Sequence, residues 1–141
     1  MSKSFTINGV KISNKNPPYI IAELSANHNG SIDRAKKTIL EAKKSNVAAV
    51  KIQTYTPDTM TIRSKKPDFL IKKGLWKERT LYDLYSEAYT PFEWHKDLFE
   101  SAKKIGITIF SSPFDESAVD LLESLNTPAY KVSSFELVDL P

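Results

Sequence analysis

Apolar residues along the chain follow two periods in turn, and this change of period predicts strands that alternate with helices. Continuous apolar runs, typical of strands buried on both faces, occur in four places: residues 19–24, 47–53, 107–110 and 128–132. Between these runs, apolar residues recur at helical spacing. After the first run, Ala35 and Ile39 share one helical face, while Lys36 and Lys37 lie on the other. The order of elements predicts parallel α/β architecture.

Capping residues mark the ends of the predicted helices. Ser31 is expected to cap the first helix, and Thr90, followed by Pro91 and Glu93, has the form of a capping box. Gly106 is expected to end the helix that begins there. Two shorter helices are predicted at residues 80–88 and 115–125.

A hairpin is predicted before the first strand. Asn8 and Gly9 are the preferred pair for a type I′ turn, and alternating apolar residues flank them. Pro17 and Pro18 follow and prevent any continuation of the hairpin. We therefore divide the chain into a hairpin segment, residues 1–16, and an α/β segment, residues 17–141.

Four parallel strands leave two architectures open. They form either a small open sheet or the first half of a TIM (β/α)8 barrel, because a closed barrel needs eight strands. A half barrel would have unpaired strand edges, which favour aggregation. In both architectures the carboxyl ends of the strands share one edge, where ligands of such folds bind. No GxGxxG sequence follows any strand, so a dinucleotide fold has no support.

Composition and charge exclude several classes of protein. The chain is 40% hydrophobic and 26% charged, as in ordinary soluble domains, and no apolar run approaches the roughly 20 residues of a membrane span. The first residues lack the apolar segment of a signal peptide, and cysteine is absent, so we expect a cytoplasmic protein. The net charge of +3 comes mostly from lysines spread along the chain, which is typical of solvated surfaces rather than of a nucleic-acid interface.

Polar side chains gather where the predicted strands end. In chain order they are Glu23, Asn27, His28, Lys51, Gln53, Ser111, Ser112, Lys131, Ser133 and Ser134. The two lysines are the sharpest anomaly, because lysine is almost never fully buried without a partner. Lysines and serines at one edge would form a cradle for a phosphate dianion. Two other interpretations stay open: the lysines reach water or pair with carboxylates, or one of them forms a Schiff base.

The acid and the two histidines allow several roles. Glu23 could be a general acid or base, bind a hydroxyl group, or pair with Lys51 on the neighbouring strand, and the ion pair is slightly favoured. His28 is expected to make hydrogen bonds in a loop, and His95 is expected on a helix surface. These are the only two histidines, so the chain cannot build a histidine-rich metal site by itself.

Several motifs, in a fixed order, resemble those of the sialic acid synthase family, whose members condense phosphoenolpyruvate with an amino-sugar aldehyde. The matching segments are IIAELSANHNG at 20–30, VKIQTY at 50–55, FSSPF at 110–114 and PAYKVSSFE at 128–136. Two further segments resemble the pseudaminic acid synthase branch of the family: GLWKERTLYDLY at 74–85 and TPFEWH at 90–95. The resemblance therefore covers nearly the whole chain.

The resemblance implies a protein larger than this chain. Family members have a TIM barrel with an N-terminal hairpin plugging its bottom, followed by a small antifreeze-like domain. Residues 1–16 would be the plug, and residues 17–141 would be the first four β/α units. The second half of the barrel and the antifreeze-like domain would be absent. So would the family's divalent metal site, for Mn²⁺ or Mg²⁺, whose histidine ligands lie in the second half. The full-length family forms homodimers.

The resemblance also implies a phosphate site. Lys51, Ser112, Lys131 and Ser134 match family positions that hold the phosphate of phosphoenolpyruvate. The enol carbon of this substrate would attack the aldehyde of the open-chain sugar, and water would add at C2. Loss of phosphate would then leave a 2-keto sugar acid.

On the sugar side, Glu23 matches the family's active-site glutamate, and Gln53 matches a rim residue. Asn27 and His28 would also contact substrate. In the pseudaminic acid branch the acceptor is 2,4-diacetamido-2,4,6-trideoxy-altrose. Its apolar end would pack in a long irregular excursion, residues 54–77, which includes Trp76. The alternatives are an N-acetylneuraminate or legionaminate synthase, or a half barrel that binds phosphate ligands without turnover. The isolated chain is expected to be inactive.

Overall fold

The structure is a computed structural model that describes residues 4–140. Residues 1–3 and 141, which belong to the two predicted segments, lie outside the described residues. The chain begins with a hairpin of β1 (Ser4–Ile7) and β2 (Val10–Ser13), paired antiparallel with Ile7 opposite Val10. Asn8 and Gly9 between them have φ angles of 47° and 79°. Positive φ at both positions is what a type I′ turn requires, so the predicted hairpin is confirmed.

The main sheet has three parallel strands within the described residues. In spatial order they are β3 (Ile21–Ser25), β4 (Ala49–Thr54) and β5 (Thr108–Pro113). The first three predicted strands are thus confirmed, with their ends moved by one to three residues. One consequence is that Ser111 and Ser112 lie inside β5 rather than in the loop after it.

The predicted fourth strand, residues 128–132, is wrong as a strand. One parallel bridge joins Ser111 to Tyr130, and the Lys131 N–H donates to the Ser111 carbonyl at 3.1 Å. Pro128 has no N–H to donate to a ladder, so pairing cannot begin at the start of the predicted run. Residues 134–138 then form turns. The three-stranded sheet with this bridge is consistent with part of a TIM barrel.

The described residues form five α-helices. They are α1 (Ile32–Lys44), α2 (Pro57–Met60), α3 (Leu81–Ala88), α4 (Phe92–Ile105) and α5 (Glu116–Ser124). Of these, α1, α4 and α5 pack against the strands. Ser31 caps α1 by accepting a hydrogen bond from the Arg34 N–H, as predicted. Gly106 ends α4 with a φ of 70°, also as predicted. Helix α2 and a 3₁₀ turn at Pro67–Phe69 lie in the excursion, where neither was predicted.

The hydrophobic core lies between the sheet and helices α1 and α4. Its buried members are Leu24, Ala35, Ile39, Val50, Ile52, Leu98, Ala102, Ile107 and Ile109. Because alternate strand residues face the core, the residues between them face the opposite side of the sheet. The hairpin meets the amino-terminal end of the sheet, where the Asn8 side-chain amide donates to the Thr108 hydroxyl at 3.0 Å. No helix within residues 4–140 is long and apolar enough to cross a membrane.

Candidate active site

The carboxyl edge of the sheet carries polar side chains on the face away from the core. We call this set the rim: Glu23, Ser25, Lys51, Gln53 and Ser112. Strand register places Glu23 beside Lys51, and Gln53 beside Ser112. The sequence prediction that polar groups from different strands meet at one edge is therefore correct for these strands. Ser25 was not predicted as part of this site.

Glu23 and Lys51 form an ion pair across β3 and β4. Their carboxylate Oε2 and ammonium Nζ atoms are 2.6 Å apart, and the Lys51 side chain is only 11% exposed, against 49% for Glu23. The predicted pairing of these residues is confirmed. A lysine ammonium has three donors, so the bond to Glu23 leaves others for a ligand that approaches from the open side.

A second side-chain contact of the rim joins β3 to β4, nearer the carboxyl ends of these strands. The Ser25 hydroxyl donates to the Gln53 side-chain carbonyl at 2.7 Å. Ser25 has a φ of 53°, where β3 departs from regular pairing. This irregular geometry turns the Ser25 hydroxyl toward Gln53. In the loop that follows, the Asn27 side-chain amide donates to the Leu24 carbonyl at 3.1 Å.

Ser112 contributes the one rim hydroxyl with no partner among the described residues. Its side chain has no exposed surface, and its Oγ atom makes no hydrogen bond there. Buried hydroxyl groups are nearly always hydrogen-bonded, and an exception calls for an explanation. Its place beside Gln53 makes this hydroxyl a donor available to a ligand at the rim.

Lys131 and Ser134 are less closely tied to the rim. The Lys131 ammonium donates to the Ser133 hydroxyl at 3.1 Å, and the side chains of Lys131 and Ser134 are exposed. No hydrogen bond or ion pair within residues 4–140 joins either side chain to Lys51. The backbone of Lys131 nevertheless runs beside Ser111, one residue from Ser112. The structure thus brings the Lys131 segment to β5 without closing a phosphate cradle.

His28 lies in the loop after β3, as predicted, but its ring is fully buried. The Gly30 N–H donates to Nδ1 at 3.2 Å, so a neutral ring carries its proton on Nε2 and donates it to the Thr90 hydroxyl, 3.2 Å away. Burial lowers the pKa of His28. These two hydrogen bonds stabilise the loop after β3. The buried His28 ring would therefore affect a ligand only through the position of that loop.

Thr90 and His95 correct two expectations. Thr90 does not cap α4, because its hydroxyl bonds to His28 and the N-cap position is Pro91. His95 is not on the surface: it has no exposed area, and its Nε2 lies 2.8 Å from the Thr54 hydroxyl. The sequence spacing could have predicted the burial of His95, because Leu98 and Ala102 follow it at helical spacing and lie on the buried face of α4.

Aromatic contacts join the start of the excursion to α3 and to the residue that follows β5. Tyr55, directly after β4, packs edge-on against Tyr85 and Phe114 with ring centroids 5.8 Å and 5.6 Å away. Burial and the neighbouring Tyr85 raise the pKa of Tyr55 to about 12, so its hydroxyl stays neutral. Trp76 lies in a turn at residues 75–78 and is 45% exposed. Tyr85 is thus engaged with Tyr55, while Trp76 presents a free indole face.

Comparison with known proteins decides the family. Residues 38–141, about three quarters of the chain, match the NeuB family. The chain belongs to the NeuB family. Its expected membership of the sialic acid synthases is therefore confirmed. The identity is 54% over 124 residues with a pseudaminic acid synthase of Helicobacter pylori, and covers 88% of this chain and 36% of that protein.

Two further relatives have lower sequence identity. An N,N'-diacetyllegionaminic acid synthase of Legionella pneumophila is 33% identical over 142 residues, covering 100% of this chain and 40% of that protein. The crystal structure of an N-acetylneuraminic acid synthetase from Leptospira borgpetersenii superposes with a TM-score of 0.81 at 25% identity, covering 99% of this chain and 44% of that one. The chain spans well under half the length of these relatives.

Proposed function

We propose that this chain forms the phosphate side and part of the sugar side of a pseudaminic acid synthase site. The substrates would be phosphoenolpyruvate and 2,4-diacetamido-2,4,6-trideoxy-altrose. The observation that carries the proposal is the rim, where the largely covered Lys51 side chain and the unpartnered Ser112 hydroxyl face the same side of a parallel sheet. The 54% identity to a pseudaminic acid synthase, against 33% to a legionaminic acid synthase, favours this acceptor.

Each rim group has a distinct task in the proposed reaction. Lys51 holds the phosphate while Glu23 keeps its ammonium in place, and Ser112 donates a neutral hydrogen bond. Lys131 and Ser134 would supply the remaining phosphate contacts, since the Lys131 backbone already bonds to Ser111 on β5. Because charge grows on the phosphate as it leaves, fixed donors there lower the barrier.

On the sugar side, Glu23 is the group that can orient the acceptor or move a proton, since half of its side chain is open to solvent. Gln53, held by Ser25, fixes a polar contact next to it. Asn27 and the loop held by His28 border the same side. In the reaction, a carbon–carbon bond forms between the enol carbon and the aldehyde, water adds at C2, and phosphate leaves.

The divalent metal expected of the family does not fit the described residues. Within residues 4–140 no group of three or more His, Asp or Glu side chains is placed to hold a metal ion. We propose that its ligands lie outside this chain.

The chain by itself is expected to release no phosphate from phosphoenolpyruvate. The test supplies the acceptor sugar and Mn²⁺ and measures inorganic phosphate. A graft tests the function directly: this chain replaces the matching segment of the H. pylori synthase, which is 54% identical to it. We expect the graft to form the nonulosonic acid and phosphate in equal amounts. Turnover by the chain alone would contradict the first expectation, and a folded but inactive graft would contradict the proposal.

Acceptor choice gives a separate prediction. In the active graft, Trp76→Ala is expected to lower the preference for a 6-deoxy over a 6-hydroxy acceptor by about tenfold, because the indole would lose its contact with the apolar end of the sugar. Selectivity is measured as the ratio of the two kcat/KM values. Leu75→Ala is the matched control, since Leu75 adjoins Trp76 and is 92% exposed. Unchanged selectivity in Trp76→Ala would exclude this role.

A further inference from the structure

The core-facing side of β4 and β5 becomes polar at the carboxyl end of both strands. Val50 and Ile52 face the core along β4, but the next position on that face is Thr54. On β5, Ile109 is followed on the same face by Ser111. Both hydroxyl side chains have no exposed surface. The polar layer therefore lies directly behind the rim.

One hydrogen-bonded chain joins this layer to helix α4. The Thr54 hydroxyl lies 2.8 Å from His95 Nε2 and 2.6 Å from the Ser111 hydroxyl. At the other side of the ring, His95 Nδ1 lies 3.0 Å from the Pro91 carbonyl. We call these residues the His95 chain: Pro91, His95, Thr54 and Ser111.

The partners fix the direction of every bond in the chain. A carbonyl only accepts, so Nδ1 of His95 must donate to Pro91. In the neutral ring Nε2 must then accept from the Thr54 hydroxyl, and Thr54 must accept in turn from Ser111. This direction links the ends of β4 and β5 to α4 through hydrogen bonds, and the Ser111 hydroxyl also lies 3.4 Å from the Ser112 carbonyl, a second acceptor for it.

Stability alone does not explain a polar layer here. Replacing a buried hydrogen-bonded set by apolar groups of the same shape is often nearly neutral in free energy, so the hydrogen bonds add little to the core that Ile52 and Ile109 already build. What they add is a defined distance between two strand ends and a helix. Thr54 directly follows Gln53, and Ser111 directly precedes Ser112 and accepts from the Lys131 N–H.

We propose that His95 is a positioning residue: acting through Thr54 and Ser111, it sets the placement of Gln53, Ser112 and the Lys131 segment for phosphoenolpyruvate. The inference rests on the proposed function. His95 touches no substrate, and its effect reaches the rim only through the two strands.

The structure supplies a matched control for this role. Thr90 is also a fully buried threonine whose hydroxyl bonds to a fully buried histidine, His28. It belongs to the segment before α4 and not to the ends of β4 or β5. Thr54→Val and Thr90→Val therefore remove the same group from equally buried sites, but only the first breaks the His95 chain.

The experiment compares these two variants in the grafted synthase and in the chain itself. In the graft, Thr54→Val is expected to raise KM for phosphoenolpyruvate by about tenfold while KM for the sugar stays within about twofold. In the chain, amide exchange followed by NMR is expected to be about tenfold faster at Ser112 and Lys131. Thr90→Val should leave both the KM for phosphoenolpyruvate and these two amides unchanged. If Thr54→Val folds poorly, two His95 variants are compared instead. His95→Gln keeps a hydrogen-bond acceptor for the Thr54 hydroxyl, and His95→Leu removes it.

The outcomes separate the inference from the proposed function. If the unmodified graft is active and Thr54→Val and Thr90→Val change KM for phosphoenolpyruvate equally, the His95 chain is merely structural and the inference is overturned. Loss of kcat alone, with neither KM changed, would also overturn it. A folded, inactive graft that binds no phosphoenolpyruvate would refute the proposed function, and the positioning role would fall with it.

Discussion

Lys51→Met is expected to reduce kcat/KM for phosphoenolpyruvate in the grafted synthase by about 10³-fold or more. Methionine keeps most of the length and apolar stem of lysine but removes the charge and its three donors. The lost ammonium is the cation of the rim, on a side chain that is 11% exposed and held by Glu23 at 2.6 Å. A charge in such a site acts through a medium of low dielectric constant, so its loss weakens both binding of the phosphate and its departure.

Folding should not account for this loss of activity. Lys51→Met leaves Glu23 without its partner, but that side chain is 49% exposed and water can solvate it. Lys36→Met is the control, because Lys36 also forms an ion pair, with Asp97 at 3.0 Å, and joins α1 to α4. It is expected to keep activity within about twofold, as exposed pairs contribute little. Retention of more than a tenth of the activity by Lys51→Met would exclude Lys51 as a phosphate ligand.

The ion pair is also the clearest case of a site predicted from sequence. Lysine inside an apolar parallel strand requires a partner, and the neighbouring strand offered Glu23 at the matching level. The same reasoning identified Gln53, because residues two apart in a strand share a face. It could not find Ser25, whose contact with Gln53 depends on a positive φ and on a local departure from strand register.

Periodicity predicted the core well, since Ala35 and Ile39 on α1 and Leu98 and Ala102 on α4 are all buried. Buried polar residues were harder to predict, because the sequence does not show whether a threonine or histidine will have a hydrogen-bond partner in the folded protein. Thr90 has the sequence of a cap, yet its hydroxyl bonds to a ring 62 positions earlier. Such contacts depend on how elements pack rather than on local pattern.

The fourth strand failed for a related reason. A short apolar run does not fix its own pairing, which depends on the neighbouring strands. Within the described residues β5 is the only strand that pairs with this segment, and the pairing is limited to Ser111 with Tyr130 and Lys131. Of the two remaining predicted phosphate ligands, Lys131 lies on this segment and Ser134 lies in the turn that follows it. Their role therefore depends on structure that periodicity alone does not determine.

Mild acid is expected to destabilise the chain, and the two buried histidines are the physical reason. Burial lowers the pKa of both His28 and His95, although backbone hydrogen bonds and Glu93 oppose this at His95. Below about pH 6.5 the unfolded chain binds protons at these rings more strongly than the folded chain does, so stability falls as pH falls. The free energy of unfolding should therefore be lower at about pH 5.5 than at about pH 7.5.

Urea unfolding at these two pH values measures the fall in the free energy of unfolding. Trp94 provides a fluorescence signal, since its ring centroid lies 5.3 Å from that of His28. The chain has only two histidines, and carboxyl groups titrate mainly below this range, so the window isolates them. His95→Gln should reduce the pH dependence, and His28→Gln with His95→Gln should remove nearly all of it. If the double variant loses as much stability in acid as the original chain, the two rings are not protonated on unfolding, and neither His28 nor His95 is held neutral by the fold.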